Sequence, residues 1–148
     1  MKTKSKIKRV NLNITGRSEP VIFGIVAAEP DYKLSLDLNR KLGIALKNSD
    51  PVIIHDENQS ELTFSRFSDF SHPGGIVYEI TSNRSGKNCL IKKMKNIDYF
   101  FLIHDIDNND DINRILSLIR QSDLVTAALL IDPDVTNDRN FKYLISAV

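Results

Sequence analysis

Residues 97–131 constrain the fold more than any other stretch, because two apolar runs there flank a helical stripe. The first run, residues 97–103, is rich in aromatic and β-branched residues and too short for a helix, which predicts a central strand buried on both faces. The second run, residues 124–131, ends at Asp132-Pro133, where proline cannot donate to a ladder. The stretch therefore predicts a strand–helix–strand unit of the size usual for a right-handed crossover.

A helix is predicted inside this unit from the spacing of its apolar residues. Four of them recur every three or four residues, which places them on one helix face: Ile112, Ile115, Leu116 and Ile119. Asn109, Asp110 and Asp111 indicate the helix start, because their short side chains can cap free amides and negative charge suits the positive end of the helix dipole. We expect the apolar face of this helix to lie on the sheet.

The composition is that of an ordinary globular protein, with 41% hydrophobic and 26% charged residues. A chain of 148 residues is expected to form one domain with a sizeable core. The formal net charge of +1 argues against a surface dedicated to nucleic acid or membrane. The single Cys89 excludes an internal disulfide and is interpreted as a small strand residue, since no histidine lies near it in sequence.

Residues 1–18 carry six basic groups and no acidic group. We interpret them as a basic, mobile or edge-strand arm that precedes a single domain at residues 19–148. The alternative is an arm that binds phosphate. No apolar run is long enough for a secretory signal or a membrane span, so the expected location is the cytoplasm.

The residues after the arm predict a second strand–helix pair. Residues 21–28 form another strand candidate, in which Gly24 suggests a close backbone approach. A helix follows, with Asp31 as its cap and Gly43 at its end. This helix leaves Leu36 on a partly exposed flank.

The remaining segments predict a meander and a terminal helix. Turn residues separate four apolar runs between residues 51 and 91, at 52–54, 62–67, 76–81 and 89–91. These runs are expected to form antiparallel strands. Helical spacing near the carboxyl end predicts a short docked helix through Phe141, Leu144, Ile145 and Val148.

Together these elements predict an α+β domain, in which two or three helices pack on one face of a mainly antiparallel sheet. The units at residues 97–131 and 21–43 act as two split strand–helix halves, so the arrangement is broadly ferredoxin-like. Such a sheet has open edges. We expect a homodimer that covers an edge or the open face, and the exposed Leu36 indicates such a surface.

The segment 91–99, IKKMKNIDY, resembles the signature of the IPExxxVDY family of small bacterial proteins. The segment GIVAAEPDYKLSLDLNRKLGI at 24–44, FSRF at 64–67 and Ile131-Asp132-Pro133 are also similar to that family, so the resemblance covers most of residues 20–135. The match departs at Lys92 and Lys93, which replace proline and glutamate, and at Ile97, which replaces valine. The resemblance implies one domain and no particular chemistry, because the family brings no assigned activity.

Asp98 lies between two apolar residues of the predicted central strand. A carboxylate in that position needs a hydrogen-bond or arginine partner if it is buried. We therefore expect Asp98 to be structural.

An acidic loop before the second helix resembles a calcium loop through alternating oxygen ligands: Asp105, Asp107, Asn109 and Asp111. The sixth position is Asp110 rather than glycine, and the twelfth is Leu116 rather than a bidentate glutamate. We interpret the segment as a loop that caps a helix, and no metal ligand is assigned.

None of the three histidines, His55, His72 and His104, has a second ligand at metal-binding spacing. His104 at a strand end is expected to bond a nearby carboxylate. The turn His72-Pro73-Gly74-Gly75 lacks the lysine and helix of a phosphate loop, so it is interpreted as a hairpin turn.

Three aromatic residues and a cation on one predicted strand resemble a platform for single-stranded nucleic acid: Phe64, Phe67, Phe70 and Arg66. With so few aromatic residues available to fill the core, we interpret them as core packing beside an exposed arginine.

The leading hypothesis for function is a non-catalytic protein-interaction or ligand-sensing module, because no nucleophile, base or metal set converges in the sequence. No catalytic, cofactor-binding or metal residue is assigned, and no cofactor is expected. The first alternative is an enzyme whose site assembles only in three dimensions from His104, Asp98 and Arg66. The second alternative is nucleic-acid binding through the basic arm.

Overall fold

The structure is a computed structural model. It describes residues 19–72, 75–106, 109–132, 134 and 138–145. The basic arm expected at residues 1–18 lies outside the described residues, as do Asp107 of the acidic loop, Pro73-Gly74 of the turn and Val148 of the terminal helix.

The described residues form eight strands, three α-helices and one short 3₁₀ helix. In chain order these are β1 (Val21–Val26), α1 (Asp31–Leu42), β2 (Lys47–His55), β3 (Glu61–Asp69), β4 (Val77–Ser82), β5 (Arg84–Ser85), β6 (Asn88–Cys89), the 3₁₀ helix (Lys92–Met94), β7 (Tyr99–His104), α2 (Asn109–Arg120), β8 (Ala127–Ile131) and α3 (Phe141–Ile145). The three α-helices lie near the positions predicted from the sequence, whereas the 3₁₀ helix was not predicted.

Six strands form one sheet in the order β2-β3-β4-β7-β1-β8, and all neighbouring pairs are antiparallel. Because β7 and β8 both pair antiparallel with β1, they run parallel to each other, and α2 connects them. The same reasoning makes β1 parallel to β2, with α1 between them in sequence. The α+β class with a mainly antiparallel sheet is confirmed, and the two strand–helix units are broadly compatible with a ferredoxin-like arrangement.

The sheet is covered on both faces, and every residue of β7 is buried. The face on which α1 and α2 pack, called the first face, buries Phe23, Ile25, Leu34, Leu38, Phe101, Ile103, Ile115 and Ile119. The opposite face, called the second face, buries Ile22, Phe64, Leu90, Ile91, Phe100, Leu102, Phe141 and Leu144. The expectation of helices on one face thus holds for α1 and α2, whereas α3 packs on the other face.

The end of α1 was predicted correctly and its start was not. Gly43 adopts a φ of 67°, the left-handed conformation in which glycine carries no steric penalty. The N-cap is Pro30, whose extended backbone leads directly into the helix, so Asp31 becomes the first helical residue. Asp31 instead accepts a hydrogen bond from the Ser65 hydroxyl at 2.5 Å. Leu36 lies on the exposed flank as expected, with 58% of its surface accessible.

Gly24 provides the close approach that the sequence indicated. A Cβ atom there would lie 3.0 Å from Ile97 Cδ1 and 3.1 Å from Ile131 Cδ1. These two isoleucines therefore pack directly over the β1 backbone, because glycine leaves room for them.

Three of the four runs expected in the meander form β2, β3 and β4, which pair antiparallel in sequence order. The prediction is wrong for the fourth run. Asn88–Cys89 pairs with Arg84–Ser85 in a separate two-stranded ribbon, so Cys89 is not a residue of the main sheet. Leu90 and Ile91 then turn onto the second face, where they are fully buried. This run covers the sheet instead of extending it.

Asn83 fixes the covering segment to the sheet. Its buried side chain donates from Nδ2 to the carbonyls of Met94 at 3.0 Å and Ile97 at 2.8 Å. Its Oδ1 accepts from the Ile91 amide at 2.8 Å. One side chain therefore satisfies three backbone groups that regular secondary structure leaves unpaired.

We expect the Asn83→Asp variant to lower the free energy of unfolding by about 2–3 kcal/mol at pH 7, because a carboxylate cannot donate to two buried carbonyls. Burial beside those oxygens would raise the pKa of the introduced carboxyl in the folded state. The folded state would then bind the additional proton, and the deficit would shrink as the pH falls.

Urea unfolding of wild type and variant at pH 7 and about pH 5 measures this effect. Asn96→Asp makes the same chemical change at an exposed position and serves as the control. Equal losses from the two variants would contradict the bracing role of Asn83.

Candidate functional site

A buried polar network lies on the second face, at the end of the sheet where β7 finishes. Its centre is Glu79 on β4, whose side chain is 1% exposed. Glu79 Oε1 lies 2.8 Å from His104 Nε2, and Glu79 Oε2 accepts from the Ser68 hydroxyl at 3.1 Å. The Ser68 hydroxyl in turn lies 2.9 Å from that of Ser49. Ser68 is directly opposite Glu79 in the β3–β4 pair, which brings these residues onto the same face.

Arg66 on β3 completes this network, with 11% of its side chain exposed. Its Nε lies 3.6 Å from Glu79 Oε2, which makes an ion pair but is too long for a hydrogen bond. The same Nε is buried without a hydrogen-bond partner among the described residues. The expectation of an exposed arginine is wrong, because β3 lies inside the sheet and Arg66 shares its covered second face with Phe64.

The geometry of the network does not fit nucleophilic catalysis. Ser68 bonds Glu79 rather than His104, whereas a serine nucleophile needs the imidazole itself within hydrogen-bond reach. His104 bonds a carboxylate as predicted, but the partner is Glu79, which the sequence analysis did not single out. The sequence feature that could have identified Glu79 is its position inside an apolar strand, where a buried charge needs a partner.

Asp98 is separated from this network. It adjoins the start of β7, whereas His104 is the last residue of the same strand. Its Oδ2 accepts from the Ala27 amide at 2.9 Å, and its Oδ1 accepts from Arg84 Nε at 2.7 Å. The expected hydrogen-bond and arginine partners are thus confirmed. Of the three residues in the enzyme hypothesis, the structure brings together Arg66 and His104 only.

Asp69 forms a second histidine–carboxylate pair at the same end of the sheet. Its Oδ2 accepts from the Ala45 amide at 2.8 Å and lies 2.7 Å from His72 Nε2. Its Oδ1 accepts from the Ser71 amide at 2.9 Å and the Ser71 hydroxyl at 2.5 Å. Burial acts to raise the pKa of this carboxyl, but the hydrogen bonds from Ser71, Ala45 and His72 outweigh it and hold the pKa well below its usual range. The group is therefore a charged brace between β3 and the chain that leads into β2.

The aromatic residues of β3 do not form one platform. Phe64 is buried on the second face, Phe67 packs with the first-face core, and Phe70 is exposed beyond the strand. Core packing is thus confirmed for Phe64 and Phe67 and is wrong for Phe70. A stacking platform would need these rings on one shared exposed face.

Metal-ligating groups do not cluster in the part of the chain that the structure describes: no group of three or more histidine, cysteine, aspartate or glutamate side chains could hold an ion there. His55 is exposed at the end of β2. Asp105 adopts a φ of 63°, so the chain turns sharply just after β7.

A polar groove of about 580 Å³ lies between the β2–β3 turn, β6 and α3. Side chains of both charge signs line it, among them Lys92, Arg139, Asp56 and Glu57. The half-buried Cys89 thiol also lines it and accepts a long hydrogen bond from Arg84 Nη1 at 3.6 Å. The mixed charges select no one class of ligand.

One edge strand of the sheet, β2, has features that disfavour pairing with another chain. It contains Lys47, Asp50 and Pro51. Its register with β3 shifts between Ser49 and Val52. Charge, proline and a local irregularity are the devices by which natural sheets prevent edge-to-edge association.

The other edge strand, β8, has none of these devices. Its sequence is AALLI, without charge or proline, and it pairs on one side with β1. No other strand within the described residues pairs with it. Leu129 is 42% exposed and Leu130 is 59% exposed, so two adjacent large apolar side chains lie along this edge. Such an edge is a ready site for strand addition.

No family model, no curated protein and no solved structure matches the chain. Among the helices that the structure describes, none is long and apolar enough to cross a bilayer.

We expect the Asp69→Asn variant to lower the free energy of unfolding by about 1–3 kcal/mol at pH 7, because the amide cannot accept the four donors that the carboxylate accepts. The folded-state pKa is depressed, so the contribution of the carboxylate is fully present above the unfolded pKa of about 3.9. It is lost as the pH falls below that value towards the folded pKa.

The difference in free energy of unfolding between wild type and Asp69→Asn should therefore disappear as the pH approaches about 2, as measured by urea unfolding across that range. Asp50→Asn, at an exposed position, is the control and should show little deficit at either pH. A deficit of Asp69→Asn that does not change with pH would contradict this assignment.

Proposed function

We propose that this protein is a non-catalytic protein-interaction module, and that β8 pairs with β8 of a second copy to form a homodimer. The observation that carries the proposal is the exposure of Leu129 and Leu130 on an uncharged edge strand. The guarded β2 edge supports it by contrast, because the same sheet blocks one edge and leaves the other available for pairing.

The sequence of β8 suits self-association. When two such strands pair antiparallel about Leu129, Ala128 of each copy faces Leu130 of the other, and Ala127 faces Ile131. Small side chains then lie opposite large ones, as packing across a two-fold axis requires. All strand pairs of the sheet are already antiparallel, so the added pair continues the same pattern.

One further feature favours a second copy as the partner. The formal net charge of +1 gives little electrostatic repulsion between copies.

We expect the wild-type protein to have twice the 16.8 kDa chain mass in light scattering at tens of micromolar, and Leu130→Asp to have the mass of one chain. A charge on this residue would be repelled by its copy and would be desolvated on pairing. Loss of the dimer with an unchanged circular dichroism spectrum would support the proposal.

Leu36→Asp is the matched control, since Leu36 is 58% exposed on α1 while Leu130 is 59% exposed on β8. This variant should remain dimeric. A monomeric wild type would overturn the proposal, and so would a dimer that dissociates with Leu36→Asp but persists with Leu130→Asp.

A further inference from the structure

A groove of about 480 Å³ lies at the end of the sheet where β1 begins, β8 finishes and α2 starts. Three apolar side chains on the first face line it: Val21, Ile112 and Leu130. Val21 and Ile112 pack against the first-face core, and Leu130 lies opposite the buried Phe23 in the β1–β8 pair, which places it on the same face. Because Leu130 is 59% exposed, this apolar wall is open to a partner.

The surroundings of this groove are negatively charged. Asp132 lines it, and Asp110 and Asp111 follow another lining residue, Asn109, in the first turn of α2. Arg114 offsets part of this charge through its ion pair with Asp111 at 3.9 Å. No lysine or arginine occurs among the described residues that line the groove. A partner that combines an apolar side with positive charge would therefore complement it.

The sequence of residues 1–18 has both properties. These residues carry six basic groups and no acidic group. Within them, the sequence VNLNI at 10–14 alternates apolar side chains with asparagine. Such alternation is typical of an extended segment with one apolar and one polar side. The apolar side suits the wall of the groove, and the basic groups suit the aspartates around it.

The chain connection keeps the segment 10–14 close to this groove. Six residue steps separate Ile14 from Pro20, so their Cα atoms lie at most about 20 Å apart. Pro20 itself lines the groove. A segment tethered by so short a connection has an effective concentration on the order of millimolar at the groove. Weak contacts therefore suffice to hold it there, and a free ligand would have to compete with it.

We propose that residues 1–18 dock in this groove of their own chain, with the apolar side of the segment 10–14 on the apolar wall and the basic groups beside the aspartates. The docked arm contacts Leu130 on the first face and leaves the backbone edge of β8 free. The inference therefore does not rest on the dimer proposed above.

Paramagnetic relaxation enhancement in the full chain tests the proposal. A nitroxide is attached to the Asn13→Cys variant in a Cys89→Ser background, on the polar side of the segment, and the same sample after reduction with ascorbate is the reference. The amide signals of Asn113 and Asp132 should broaden strongly. The signal of Arg84, which bonds Asp98 at the opposite end of the sheet, should not. Broadening that is confined to residues 19–22 beside the tether, or that is equal at both ends of the sheet, would overturn the proposal.

Two variants of the nitroxide-labelled chain form a matched pair. Leu12→Asp removes the centre of the apolar side and adds a negative charge, so we expect it to weaken docking about tenfold or more, with a corresponding loss of broadening at Asn113. Asn11→Asp adds the same charge on the polar side and should retain most of the broadening. Equal losses from the two variants would overturn the contact between the apolar side and the groove.

Salt concentration tests the contribution of the charges. An increase in sodium chloride from about 0.01 M to about 1 M shortens the Debye length from about 30 Å to about 3 Å and should reduce the broadening at Asp132. Broadening that does not change with salt would contradict the pairing of the basic groups with the aspartates.

A mixed sample identifies the chain in which the arm docks. The ¹⁵N-labelled chain without a nitroxide is incubated with an excess of unlabelled chain that carries one, and Asn113 should broaden less than in the chain that carries its own nitroxide. Equal or stronger broadening would place the arm in the groove of a second copy and overturn docking within one chain. Leu12→Asp should keep the wild-type mass in light scattering, because the arm and the β8 pairing are separate contacts. A changed mass would contradict that separation.

Discussion

The burial of β7 on both faces is the constraint on which the rest of the structure depends. A strand with the sequence YFFLIH cannot leave either face to water without exposing aromatic and branched side chains. The amphipathic helices α1 and α2 cover the first face. Covering the second face requires a different solution, because the chain has no third long helix within the described residues. The segment around Leu90 and Ile91 and the short α3 supply this cover.

The cover of the second face depends on polar side chains at both ends of the sheet. At one end Asn83 satisfies three backbone groups of the covering segment. Asp98, which follows that segment, accepts hydrogen bonds from the Ala27 amide and from Arg84 Nε. At the other end the apolar cover gives way to the network around Glu79. A buried carboxylate is tolerated there because a histidine, a serine and an arginine surround it. Within this group, Arg66 Nε is buried and has no hydrogen-bond acceptor among the described residues, so Arg66 is held there by its ion pair with Glu79.

The two edges of the sheet show how one architecture can both prevent and permit association. β2 combines charges, a proline and a register shift, whereas β8 is short, uncharged and apolar. An apolar sequence places β7 in the centre of the sheet, but on the edge strand β8 it would promote aggregation if nothing paired with it. The proposed dimer would resolve this conflict, because it would bury the exposed leucines and leave no further edge of the same kind open.

The sequence by itself determined the local elements of this protein. The unbroken apolar run predicted the burial of β7, and the spacing of apolar residues predicted the apolar face of α2. The glycine itself predicted the left-handed end of α1 at Gly43. Even the need of Asp98 for partners followed from its apolar neighbours. Two predictions were wrong. Asp31 is not the helix cap, because Pro30 takes that position. The fourth run of the meander does not join the sheet, because Leu90 and Ile91 cover its second face instead.

Only the tertiary structure decided which distant residues meet. Glu79 and His104 are 25 residues apart in sequence and become neighbours through the register of β4 and β7. The burial of Arg66 and the difference between the β2 and β8 edges likewise depend on strand order. Strand order is set by long-range packing of both faces at once, and no local periodicity encodes it.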